Sequence, residues 1–98
     1  MILQKSSGGN GVVYAFEAEI KAPRGKLSRD DRNEIRDYLA EVRMEADAPD
    51  KAVKLLTRQL QGRLKGEIKN GEADIGLPDY GSACIVRVKA HEENQVGH

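Results

Sequence analysis

Residues 49–71 carry the longest helical pattern of hydrophobic and polar positions in the chain. Their hydrophobic side chains recur at steps of three and four residues, which places them on one face of an α-helix. These side chains are Ala52, Val53, Leu56, Leu60, Leu64 and Ile68. Pro49 suits the first turn of a helix, and the pair Asn70–Gly71 suits its C-terminal end. The pattern therefore predicts a helix over residues 49–70.

A second amphipathic helix is predicted immediately before this one, beginning at Ser28. Ser28 and Asp31 resemble a capping box, and Asp30 adds a further acidic group to the first turn. The hydrophobic stripe of this helix comprises Ile35, Tyr38, Leu39, Val42 and Ala46. The break at residues 47–49 is short, and two helices joined by so short a link pack as an antiparallel hairpin.

Two stretches, residues 11–22 and 82–90, alternate with the period of half-buried strands. The hydrophobic sides carry Tyr14, Phe16, Ala18 and Ile20 in the first stretch, and Cys84, Val86, Val88 and Ala90 in the second. The polar sides carry Glu17 and Glu19 against Arg87 and Lys89. Antiparallel pairing would set these opposite charges across from each other, which contributes about 0.2–1 kcal/mol per pair. We therefore predict that the two strands are neighbours.

The order of elements predicts an α+β fold with the order β-α-α-(β)-β. A short edge strand is expected where Ala73, Ile75 and Leu77 alternate with other residues. The sheet would then have two or three antiparallel strands, packed on the antiparallel helical hairpin. We interpret residues 1–98 as a single domain with flexible ends at 1–10 and 91–98. A sheet this narrow leaves its edges exposed, so a homodimer that extends the sheet is expected.

Charge and composition restrict the partners and the cellular location that can be expected. Sixteen basic and sixteen acidic side chains cancel, so there is no overall attraction to nucleic acid or to an anionic membrane. The charge is nevertheless segregated, because residues 28–47 are net acidic and residues 48–69 are net basic. Cys84 is the only cysteine, which excludes an internal disulfide. No stretch has the length of a membrane span or the apolar core of a signal peptide, so a soluble cytoplasmic protein is expected.

The sequence offers little that would support catalysis, and we expect a protein that is not an enzyme. Both histidines, His91 and His98, lie in the C-terminal tail, and no spacing typical of metal ligands or of a cofactor motif is present. Cys84 lies on the hydrophobic side of a strand, where a buried thiol is inert. The serines lack a nucleophile elbow and an internal histidine. No metal and no cofactor are therefore expected.

Binding is the stronger hypothesis, and the predicted helix 49–70 offers two surfaces for it. The first is a flat patch away from the hydrophobic stripe, formed by Leu55, Gln59, Gly62 and Gly66. We predict that this patch contacts a protein partner, while Leu55 can equally be explained by a core on both sides of the helix. The second surface is basic and suits nucleic acid or an acidic partner. It comprises Lys51, Lys54, Arg58, Arg63 and Lys65.

These features together predict a small non-catalytic protein that binds another macromolecule, most simply a protein. A short, highly charged and neutral chain without cofactor motifs is typical of inhibitors and accessory factors carried by phage and other mobile elements, such as anti-CRISPR and anti-restriction proteins. The alternative is a nucleic-acid-binding regulator that uses the basic face of helix 49–70. Few aromatic residues are free to stack on bases, since aromatics make up only 4% of the chain.

Overall fold

Strands and helices alternate along most of the chain in the computed structural model, which describes residues 11–23, 25–81 and 83–93. The elements are β1 (Val12–Lys21), α1 (Arg29–Glu41), β2 (Met44–Ala46), α2 (Pro49–Gln59), β3 (Arg63–Leu64), β4 (Glu72–Gly76), a 3-10 turn (Pro78–Tyr80) and β5 (Ile85–Glu92). The strands form one antiparallel sheet in the order β2-β1-β5-β4-β3. Of the ends predicted to be flexible, residues 1–10 and 94–98 lie outside the described residues, and His91 and Glu92 belong to β5.

The predicted α+β class is confirmed, but the described residues form a sheet of five strands rather than two or three. The two additional strands come from sequence that the hydrophobic spacing assigned to helices. Both helices lie on one face of the sheet and share a single core with it. The largest fully buried side chains in that core are Leu39, Leu56, Ile75, Val53, Val86 and Val88.

The first helix is shorter than predicted, and a strand follows it. Ser28 does cap α1, because its Oγ accepts a hydrogen bond from the backbone N–H of Asp31 at 3.1 Å. The helix ends at Glu41, and residues 44–46 form β2, which pairs Met44 with Tyr14 and Ala46 with Val12. The prediction that a short loop joins the two helices into a hairpin is therefore wrong. A strand of the sheet separates them.

The second helix ends at Gln59 instead of residue 70. Gln61 adopts a left-handed backbone conformation with φ 54°. Its N–H donates to the carbonyl of Arg58 at 3.0 Å, and the N–H of Gly62 donates to the carbonyl of Thr57 at 2.9 Å. These two bonds form a Schellman motif, which closes a helix by satisfying its last carbonyls. The predicted helix 49–70 is therefore wrong in its second half.

Asn70–Gly71 closes a β-hairpin rather than a helix. Both residues have positive φ, 54° and 76°, as a two-residue type I′ turn requires. Lys69 and Glu72 on either side exchange two backbone hydrogen bonds, of 3.0 and 2.9 Å. The hairpin brings β3 alongside β4, so the strand predicted at the edge lies inside the sheet, between β3 and β5.

The predicted neighbours β1 and β5 do pair, in the register that their charges favour. Glu17 lies opposite Lys89, and Glu19 lies opposite Arg87. The guanidinium of Arg87 nevertheless forms its ion pairs on the other side, with Asp74 at 3.0 Å and with a second carboxylate on β4 at 3.7 Å. The solvent face of the sheet therefore alternates in charge from strand to strand, acidic on β1 and β4 and basic on β5.

Candidate macromolecule-binding surface

Helix α2 has one face in the core and one in solvent. Ala52, Val53, Leu56 and Thr57 are buried, and the Thr57 hydroxyl donates to the carbonyl of Val53 at 2.8 Å. The solvent side carries residues at steps of three and four, so that they form one surface. We call this surface the α2 face, and it consists of Lys51, Lys54, Leu55 and Arg58.

Leu55 is the apolar centre of the α2 face. Its side chain is 40% exposed, so the packing of the domain does not cover it. A cleft of about 370 Å³ lies between this face and the end of β2, where Ala46 and Asp47 form the opposite wall. Strand β2 is an edge of the sheet, since it lies at the end of the strand order. The cleft therefore joins an exposed helix face to a sheet edge.

Most of the positive charge on the α2 face has no ion-pair partner among the described residues. Among the described residues, the ion pair on this face joins Lys51 to Asp47 at 3.4 Å. That pair is exposed, and such pairs are worth about 0–1 kcal/mol. The acidic residues of α1 form no ion pair with Lys54 or Arg58 in the described part of the chain. The cations of the α2 face remain available to a partner.

The four residues predicted to form a flat patch do not share a surface. Leu55 and Gln59 lie on α2, but Gln59 faces a different cleft, beside Tyr38 and Tyr80. Gly62 lies beyond the helix, and a Cβ there would come within 2.6 Å of Ile75 Cγ2 and 2.8 Å of the Gly76 carbonyl oxygen.

Gly62 is therefore a position of close internal packing. Gly66 lies in the β3–β4 hairpin with φ 119° and open space around it. The sequence pattern predicts a helix that continues to residue 70, whereas α2 ends at Gln59, so Gly62 and Gly66 do not lie on it. The role of these residues in contacting a partner stays a prediction.

The predicted basic surface is also divided by the end of the helix. Lys51, Lys54 and Arg58 lie together on the α2 face, whereas Arg63 belongs to β3 and Lys65 follows it. Arg63 and Lys65 line a smaller depression with Leu77 and Pro78. The structure thus joins three of the five predicted cations and separates the other two from them.

Sequence reasoning missed the contribution of β2 to this surface. Val42, Met44 and Ala46 are partly buried, while Arg43 and Glu45 between them are exposed. This alternation is the period of a strand and was present in the sequence. It was obscured because Val42 and Ala46 are also four residues apart, as on a helix.

The described residues hold no group of three or more histidine, cysteine, aspartate or glutamate side chains placed to bind a metal. Cys84 is buried, and this burial raises the pKa of its thiol, which disfavours the reactive thiolate. None of the helices in the described ranges is long and apolar enough to cross a membrane.

Comparison with known proteins identifies no relative of this chain. No protein-family model, no curated protein and no solved structure matches the chain.

Proposed function

We propose that this is a small non-catalytic protein that binds an acidic surface of another protein through the α2 face and acts as an inhibitor or accessory factor. The observation that carries the proposal is the exposure of Leu55 among Lys51, Lys54 and Arg58. An exposed apolar side chain surrounded by charge is the usual composition of a protein contact, with a desolvated centre and a polar rim.

The inhibitor role rests on composition. The chain is short, one third of its residues are charged, and its net charge is zero. These properties are typical of the inhibitors that phage and plasmids carry, including anti-CRISPR and anti-restriction proteins. An inhibitor that occupies a surface of its target requires a contact patch and no catalytic group.

The alternative is a nucleic-acid-binding regulator, and the cations of the α2 face favour it. Lys54 and Arg58 are exposed and could neutralise phosphates. Two observations favour a protein partner instead. Among the described residues, no aromatic side chain that would stack on a base lines the cleft beside the α2 face. The centre of the α2 face is the aliphatic side chain of Leu55, which can form neither a hydrogen bond nor an ion pair with a phosphate.

The test begins with affinity capture from the source cells, followed by reconstitution with the purified captured protein. Substitution Leu55→Asp should weaken that complex by about tenfold or more, which corresponds to about 1.4 kcal/mol, because it places a carboxylate at the centre of the contact. The matched control is Leu64→Asp, since Leu64 is similarly exposed, at 37% against 40%, but lies on β3. Its effect should stay within about twofold.

Nucleic acid is tested separately, by titrating salt against the binding of generic DNA and RNA. Micromolar binding that falls steeply with salt, and that is lost in Lys54→Glu and Arg58→Glu, would refute the protein-partner proposal in favour of the regulator. A complex that Leu55→Asp and Leu64→Asp weaken equally would place the contact away from the α2 face.

A homodimer that extends the sheet also stays a proposal. The edges of the described sheet are β2 and β3, and each presents an unpaired side to solvent. Sedimentation of the purified chain over a range of concentrations measures whether a dimer forms. A Pro substitution at Glu45 would then identify β2 as the edge that pairs, because proline removes a backbone donor from the strand.

A further inference from the structure

A second cleft lies on the other side of α2, and its chemistry is opposite to that of the α2 face. It is formed where α1, the C-terminal end of α2 and the 3-10 turn meet. Its volume is about 390 Å³, within the range of about 300–1,000 Å³ that is typical of ligand pockets. The residues that line it are Glu34, Ile35, Tyr38, Gln59, Leu60, Leu77, Asp79 and Tyr80. We call it the acidic cleft.

The walls of the acidic cleft are apolar and aromatic. Ile35 and Leu77 are buried members of the core, and Leu60 is a partly buried residue that packs against that core. Tyr38 was expected to lie in the core, but its side chain is 37% exposed at the rim of this cleft. Tyr80, on the 3-10 turn, is partly buried. The cleft therefore offers two phenol rings above an aliphatic floor.

The charges that line the cleft are negative. Among the described residues, Glu34 and Asp79 are the charged groups that line it, and no lysine or arginine does so. Across the described ranges, neither carboxylate forms an ion pair. Asp31 lies one turn before Glu34, close enough for its charge to act on Tyr80. The acidic groups thus extend from the cleft toward the start of α1.

One of these carboxylates is already held in position. The Tyr80 hydroxyl donates a hydrogen bond to Glu34 Oε1 at 3.1 Å. Burial, with the hydrogen bond to Glu34 as a second cause, raises the pKa of Tyr80, so this hydroxyl remains a donor at neutral pH. The bond fixes the Glu34 carboxylate beside the ring of Tyr80. A cation that enters the cleft meets a carboxylate and an aromatic ring together.

We propose that the acidic cleft binds an arginine side chain carried by a basic segment of a partner protein. A guanidinium stacks on aromatic rings, forms paired hydrogen bonds to a carboxylate, and is more weakly hydrated than the ammonium of lysine. Its aliphatic stem can lie along the floor formed by Ile35, Leu60 and Leu77. Asp31 then faces the residues next to the arginine, so the segment as a whole is basic. This site is independent of the α2 face.

The experiment titrates the full chain with a short blocked peptide in which one arginine is flanked by glycines, and follows backbone amide shifts by NMR. The amides of Tyr38, Leu60 and Asp79 should shift with a Kd of about 1 mM. A peptide with citrulline in place of arginine has the same shape without the charge. It should bind at least about tenfold more weakly, and a lysine peptide should fall between the two.

Variants of the protein assign the binding to the cleft. Substitutions Glu34→Gln and Asp79→Asn should each weaken the arginine peptide about fivefold, while circular dichroism shows an unchanged fold. Glutamine at position 34 can still accept the hydrogen bond from Tyr80, so the cleft keeps its shape. The matched control is Glu41→Gln, which removes the same charge from an exposed position of α1 outside the cleft.

Several results would overturn the proposal. Absence of shifts at the cleft, equal binding of the citrulline peptide, or equal weakening by Glu41→Gln would each show that no arginine site exists there. If the same amides shift when the protein alone is concentrated, the occupant is a second copy of the chain, whose Arg58 is exposed. That result would replace the partner protein with self-association.

Discussion

At the scale of single residues, Gln61 is the position where the chain is most clearly strained. Its φ of 54° lies in the left-handed region, which costs a residue with a side chain about 1–2 kcal/mol. Glycine is the residue that usually occupies this place in a Schellman motif. The chain accepts the strain because Gln61 ends α2 and turns the backbone toward β3.

Replacing Gln61 with glycine should therefore raise the free energy of unfolding. We expect a gain of about 0.5–1 kcal/mol, since relief of the strain exceeds the greater freedom of glycine in the unfolded chain. Urea denaturation followed by circular dichroism measures it. The control is Gln59→Gly, at the last residue of α2, which should lower stability by up to about 1 kcal/mol. Equal effects at the two positions would contradict the assignment of the helix end.

Gly62 shows that a role inferred from sequence must be checked against the packing around the residue. On a helix, its missing side chain would have let a partner approach. In the structure, Ile75 and Gly76 already occupy that space. A large residue at Gly62 would disturb the core whether or not a partner binds, so substitution there cannot test a contact.

At the scale of elements, one side chain ties the start of α2 to the β3–β4 hairpin. Asp50 Oδ1 accepts a hydrogen bond from the backbone N–H of Gly71 at 2.6 Å, in a partly buried position. The two residues are far apart in sequence, and the bond joins a helix N-terminus to a type I′ turn. Because carboxylate acceptors make stronger hydrogen bonds than neutral ones, this contact fixes the hairpin against the helix.

Substitution Asp50→Ala should lower the free energy of unfolding by about 1.5–3 kcal/mol, because it leaves the Gly71 N–H without its charged acceptor. Thermal and urea denaturation measure the loss. Asp47→Ala is the matched control, because the ion pair that Asp47 forms with Lys51 in the described part of the chain is exposed and worth about 0–1 kcal/mol. Similar losses in both variants would show that the Asp50 hydrogen bond contributes no more to stability than the ion pair of Asp47.

At the scale of the whole molecule, the zero net charge has a structural counterpart. The solvent face of the sheet sets the basic side chains of β5 between the acidic side chains of β1 and β4. Arg87 lies at the centre and pairs with Asp74 and Glu72. Neither α1 nor α2 covers this face in the described part of the chain, so its charges remain hydrated while they neutralise each other. The opposite charges of the α2 face and the acidic cleft lie outside this arrangement, which makes them available to partners.

Reversal of charge at the centre should weaken the sheet. Arg87→Glu replaces the ion pairs with repulsion from Glu19 and Asp74 and should cost about 1–2 kcal/mol at low salt. Part of the loss should be recovered at 1 M salt, where the screening length is about 3 Å. Lys21→Glu, at the end of β1, is the control and should change stability by less than about 0.5 kcal/mol. A loss that is independent of salt would indicate disturbed packing instead of charge.

The sequence by itself determined the elements whose pattern fits one period only. Strands β1 and β5 alternate over enough residues that only a sheet can bury their hydrophobic sides, and their opposite charges indicated that they pair. The start of α1 was equally well determined, because the Ser28 hydroxyl accepts a hydrogen bond from the Asp31 N–H, one of the donors that the first turn of a helix leaves without an intrahelical partner. The basic residues of the α2 face were also correctly predicted to lie on a helix, because the pattern of residues 51–58 fits only the helical period.

Only the tertiary structure decided where the helices end. Residues 42–46 fit a helix and a strand equally, and Leu60, Leu64 and Ile68 continue the helical spacing beyond Gln59. The sheet resolves both cases, because the outer backbone groups of the longer strands β1 and β4 pair with β2 and β3, which leaves short strands at the edges of the described sheet. Pairing with β2 and β3 satisfies these groups, and the Asn70–Gly71 turn provides the register. The acidic cleft and the division of the predicted patch both follow from where the helices end. Those ends depend on pairing between strands that are distant in sequence.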